Sequence, residues 1–136
     1  MLRPETKARA RALQLLYAWD MTGRPSLNAV VARVAVLAGP PPEPDPGAEL
    51  AEHAIDHARE FDQRVSRAAQ NWRFDRVGIV ERNLLRLALA ELGQGITPPR
   101  VVIDEAVKLA QWFAGAKAPA FVNGVLDSIA RELGLL

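Results

Sequence analysis

The sequence predicts an all-α fold of about six or seven helices. Apolar residues recur at helical spacing along almost the whole chain, and no segment alternates convincingly at period two. Prolines and glycines punctuate the apolar stripes at short intervals. The chain has 136 residues, of which 49% are apolar and 24% charged. That describes one domain, able to bury roughly two-thirds of its unfolded surface without staples.

Pro4 suits the first turn of a helix, where its missing N–H costs nothing, and this helix runs to about Met21 before Thr22-Gly23-Arg24-Pro25. Ser26 is the expected N-cap of a second helix through Val30, Val34 and Leu37, ending at Gly39. Residues 40–46, PPPEPDP, hold five of the ten prolines and form a loop or stiff spacer. A third helix is expected over about Ala48–Ala69, with Leu50, Ala54, Ile55, Ala58 and Phe61 inward. Asn71-Trp72 makes a joint, and Asp75 caps a fourth helix reaching Leu92, where Gly93 and Gly95 end it. A fifth helix runs from about Val101 to Phe113, with Asp104 and Glu105 in its first turn, where they suit the helix dipole. Val101-Val102-Ile103 alone would suit a strand, but the helical stripe that follows outweighs three residues. Pro119 starts a last helix carrying Phe121, Val122, Val125, Leu126, Ile129 and Leu133.

Composition removes several classes of function. The absence of cysteine excludes thiolate zinc sites, iron–sulfur clusters, redox pairs and disulfides. The only two histidines, His53 and His57, lie in HAIDH, which lacks the glutamate of HExxH, so no metal is expected. Phosphate-binding glycine loops and the GxSxG elbow are missing too, and with them any support for nucleotide-dependent or hydrolytic chemistry. No cofactor is expected. No apolar run approaches the ~18 residues of a membrane span, and MLRPETKARA lacks the apolar stretch of a signal peptide, so a cytoplasmic location is expected.

Charge is unevenly spread behind a net value of +1: residues 1–24 carry +3, residues 43–62 carry −6, and residues 63–136 carry +3. Such polarity suits a polyanionic partner, although a solvated charged face has the same signature. The first helix is the most informative segment. At 100° per residue, Ala8, Ala12, Leu15, Leu16 and Trp19 gather on one side. Arg3, Lys7, Arg11, Gln14 and Tyr17 gather opposite, with Arg9 on the flank. Cations replace counterions along phosphates, and an aromatic ring offers a face to an unstacked base, so this stripe suits single-stranded nucleic acid. The plainer reading is a solvated amphipathic helix with Tyr17 at the core edge.

In the fourth helix, Val77, Val80, Leu84, Leu85, Ala88 and Leu92 form the apolar face, yet Glu81 and Glu91 project into the same arc while Arg82 and Arg86 point elsewhere. A carboxylate there must be paired internally, at a rim, or open to a partner. Ten residues separate the two by ~15 Å along the axis, too far for joint acid–base work. No catalytic residues are proposed.

In order along the chain, four segments resemble the family of the bacterial antitermination factor NusB. They are KARARALQLLYAWDMTG, NWRFDRVGIVERNLLRLALAEL, RVVIDEAVKLAQWF and FVNGVLDSIARE, of which FVNGVLD is the most specific. Residues 26–60 match only in being helical. The resemblance implies a NusB-like fold, its helices divided into two small packed bundles over about residues 1–70 and 71–136, and a non-enzymatic factor. Such a factor binds boxA RNA of ribosomal RNA operon leaders together with NusE, a ribosomal small-subunit protein, and acts on the elongating RNA polymerase complex. It places Arg3, Lys7, Arg9, Arg11, Gln14 and Tyr17 on the RNA-contacting helix and Asp75, Glu81 and Arg86 toward NusE.

Two departures from the family pattern stand out. Ala116-Lys117-Ala118-Pro119-Ala120 replaces the acidic-Ser-His/Lys stretch before FVNG, leaving Lys117 one turn from Phe121 as the substitute cation, and Pro99 stands where an aromatic is common. Two alternatives remain: the NusB-like RNA-binding domain of an rRNA cytosine-5 methyltransferase, and a homodimeric helical module joined around Glu81, Glu91 and the apolar rim. No cofactor-binding domain is expected after Leu136, which would favour the free factor.

Overall fold

The computed structural model describes residues 2–70, 72 and 77–136. Among these, seven helices and no strand are formed: α1 (Pro4–Met21), α2 (Leu27–Ala38), α3 (Pro46–Asp56), α4 (Ala58–Ala69), α5 (Ile79–Gln94), α6 (Pro99–Phe113) and α7 (Ala118–Glu132). The axis of the fold is α5, which packs against α1, α3, α4, α6 and α7. Every residue from Asn83 to Leu92 is buried. A helix enclosed all round cannot be amphipathic in the ordinary sense, and that is why its polar residues are drawn inward.

Several boundaries follow from local chemistry. Pro4 and Pro99 open α1 and α6 at the first helical position. Ser26 caps α2 by accepting from the Ala29 amide, as expected. Asp45 caps α3 through the Ala48 amide. Gly95 closes α5 in the left-handed region at φ 69°, so the helix runs two residues past the expected end at Leu92.

Three expectations are corrected. The single helix over 48–69 is two, broken at His57. There the ring Nδ1 donates to the His53 carbonyl at 3.0 Å, taking the acceptor that the His57 amide would use in a continuous helix. The fifth helix begins at Pro99, so Val101-Val102-Ile103 is helical and Asp104 and Glu105 fall in the second turn. Leu133, expected on the last helix, lies just past the end of α7 and is exposed, while Leu37 is on α2 as expected, with its side chain 92% exposed. Asp75, expected to cap the fourth helix, lies outside the described residues.

The inward face of α1 matches the pattern, with Ala12, Leu15, Leu16 and Trp19 buried, and Leu13 joins them. Gly47 lets α3 approach α1 closely, since a Cβ there would lie 2.9 Å from the Ala8 carbonyl oxygen. Trp72 lies against α7, edge-on to Phe121 at 6.0 Å, over the space that Gly124 leaves open. Among the described residues, no helix is long and apolar enough to cross a membrane.

Candidate nucleic-acid interface

The outward face of α1 and the residue before it present Arg3, Lys7, Gln14 and Tyr17 to solvent. Among the described residues, the side chains of Arg3, Lys7 and Gln14 have no ion-pair or hydrogen-bond partner. These are cations and an amide held out on a rigid rod with nothing to satisfy them but solvent or a ligand. Tyr17 is 42% exposed.

Arg11 lies on the same face but is engaged. Its Nε and Nη2 donate to the two carboxylate oxygens of Asp45 at 2.8 and 2.6 Å, a bidentate pair. The Arg11 hydrogen bond, helped by the Ala48 amide and opposed by burial, holds the Asp45 carboxyl below the usual carboxylate range.

Arg9, expected on the RNA-contacting face, is instead buried. Its guanidinium donates to both oxygens of Glu91, at 2.8 Å from Nη2 to Oε2, and to Glu105 at 2.9 Å. Thr6 adds a hydrogen bond to Glu105 at 2.6 Å. Burial works against the Glu105 charge, but Thr6, Lys108 and the Arg9 cation together lower its carboxyl below the usual range. The Glu91 that interrupts the apolar stripe of α5 is thus the internal partner of Arg9, and the homodimer contact expected to include it loses that residue.

Arg86, expected to face a protein partner and to point out of the apolar arc, is 2% exposed. It donates to Asp62 at 2.8 and 2.7 Å and to Asp20 at 2.9 Å. Asp20 also accepts from Arg82 at 2.7 Å and Asn83 at 3.1 Å. Burial disfavours charge on Asp20, yet these donors and the Arg86 cation hold its carboxyl far below the usual range. Arg24, with φ 58°, stacks its guanidinium 4.7 Å from the Trp19 ring centroid and pairs with Asp20. Among the residues expected to meet NusE, Glu81 alone is described and partly accessible. Its carboxylate folds back over Gly78, where an added Cβ would lie 2.6 Å from Oε2, at the positive end of the α5 dipole.

Beside the α1 stripe lies a cavity of about 580 Å³, lined by Ala10, Arg11, Leu13, Gln14, Tyr17, Val80 and Phe113. Lys117 is exposed just before α7 and does not line it. Pattern reading missed Phe113, Val80 and Asp45. The adjacent Trp112-Phe113 pair at a helix end was a usable signal, since side chains 100° apart do not share one buried stripe. Nothing in the sequence announces the reach of Asp45.

The model of the NusB family matches residues 6–131. The chain belongs to the NusB family. It is 43% identical over 129 residues to the transcription antitermination protein NusB of Solibacter usitatus, covering 93% of this chain and 88% of that protein. The NusB of Anaeromyxobacter dehalogenans strain 2CP-1 is 36% identical over 135 residues, covering 98% and 94%. Among solved structures, Thermotoga maritima NusB superposes with a TM-score of 0.80 at 27% identity, covering 97% of this chain and 94% of that one. A structure of the antitermination factors NusB and NusE in complex with double-stranded RNA superposes at 0.81 with 32% identity, covering 97% and 99%. The NusB relatives are named for transcription antitermination and not for a catalysed reaction.

Proposed function

We propose that this NusB-family chain is a transcription antitermination factor that binds single-stranded boxA RNA through α1, together with NusE, and acts on the elongating RNA polymerase complex. The observation that carries the reading is the row of polar side chains at and just before α1, Arg3, Lys7 and Gln14, which have no partner among the described residues and lead to the exposed ring of Tyr17. Lys117 supplies a further cation. NusE is met through Glu81 and through Asp75, shortly before it in the sequence, since Arg86 is used inside the fold. Few phosphate contacts give modest affinity at cellular salt, and joining RNA and NusE on one particle raises it without new chemistry.

Fluorescence anisotropy of a short boxA-like RNA tests this, with and without NusE, at two salt concentrations. Binding should tighten with NusE, weaken with salt, and favour the single strand over its duplex, because Tyr17 needs an unstacked base. Failure to bind under all conditions would remove the reading. Sedimentation of the free protein at micromolar concentration separates a monomeric adaptor from a homodimer.

A further inference from the structure

We infer that the cavity between α1, α5 and α6 is a nucleobase pocket, which takes one unstacked base of the RNA strand whose phosphates follow the α1 stripe. The inference rests on the RNA reading above and adds to it the wall contributed by α6. Tyr17 and Phe113 both line the cavity, and Phe113 is 53% exposed, an aromatic ring at the end of α6 that the core does not claim. Aromatic faces hold bases of any type, because every base has a π-face. The remaining walls, Ala10, Leu13 and Val80, are apolar and exclude water from the edges of a stacked ring.

The rim supplies what an apolar side chain from a protein partner would not need. The Gln14 amide offers one acceptor and two donors, and it has no partner among the described residues. Lys7 lies one turn N-terminal on the same face as Arg11 and Gln14, and Arg3 one turn before that. A strand running along these cations therefore arrives at the cavity with its backbone neutralised and a base free to turn inward. A volume of about 580 Å³ holds a base with room for its sugar at the mouth.

The test compares an oligouridylate of about 12 nucleotides with an abasic ribose–phosphate strand of the same length, by anisotropy over a salt series. Wild type should prefer the strand with bases by roughly tenfold, the scale of one stacked base. Phe113→Ala should abolish that preference and leave the salt slope unchanged. Phe113→Leu keeps an apolar side chain at this accessible position and removes only the ring face, so it should behave like Phe113→Ala even if the smaller residue perturbs α6. Lys7→Ala should do the opposite, lowering the slope by about one while retaining the preference.

Equal binding of both strands by wild type would reduce α1 to a phosphate rail and overturn the pocket. So would an undiminished preference in Phe113→Leu, with the RNA reading still standing on the Lys7→Ala slope. A Phe113 variant that spares RNA but weakens NusE would reassign the cavity to protein docking. No binding of either strand would overturn the pocket, while the RNA reading would stand or fall on the boxA titration with NusE.

Discussion

At the scale of single residues, the arginines of α1 divide into two kinds that composition cannot separate. Arg9→Ala leaves Glu91 and Glu105 without their shared cation inside the protein, and should cost on the order of 3–5 kcal/mol in urea unfolding. Lys7→Ala touches no partner among the described residues and should leave unfolding unchanged while lowering the RNA salt slope by about one. Arg11 is an intermediate case, since Asp45 occupies the guanidinium edge that a phosphate would use. Asp45→Asn keeps a good helix cap but gives up the charge, so RNA affinity should rise severalfold and the salt slope steepen by up to about one. An unchanged affinity would mean that Arg11 holds α3 in place and takes no part in binding. The stripe formed by Lys7, Gln14 and Tyr17 was legible from a 100° step alone. The fate of Arg9 was not, because a flank residue turns in or out according to carboxylates more than eighty positions away.

At the scale of elements, caps and close approaches decide where helices begin and how they meet. Ser26→Ala should destabilise by about 1 kcal/mol, read by thermal unfolding, because the Ala29 amide loses its acceptor. Gly47→Ala forces α3 away from the α1 backbone, which has no flexible end to move aside. Its expected signature is a lowered melting temperature together with loosening of the Arg11–Asp45 pair. Helix positions and the Ser26 cap were readable because they depend on neighbours in sequence. The break at His57 is also local, but it turns on a ring nitrogen competing for one carbonyl, which apolar periodicity does not register. The fourth predicted helix misled in another way. Its apolar arc was real, but α5 is enclosed on all sides, so Arg86 had no outside to point toward.

At the scale of the whole molecule, stability should depend on pH through the carboxylates that α1, α3, α5 and α6 share. Asp20, Asp45 and Glu105 all have folded-state values depressed below their unfolded ones. Their contribution is therefore complete above about pH 5 and declines as pH falls through the unfolded values near 4 toward the lower folded ones. Melting temperatures from pH 7 down to 3 should show this fall, and Asp20→Asn should show a shallower one from a lower start. The two buried clusters also carry a consequence for chain direction. One joins Arg9 of α1 to Glu91 near the end of α5, and the other joins Asp20 of α1 to Arg82 and Arg86 near its beginning. Docked the other way round, α1 would set Arg9 beside two arginines and Asp20 beside a glutamate. Apolar stripes alone would tolerate either orientation, so the charges act as a polarity key that admits the antiparallel pairing and rejects the parallel one.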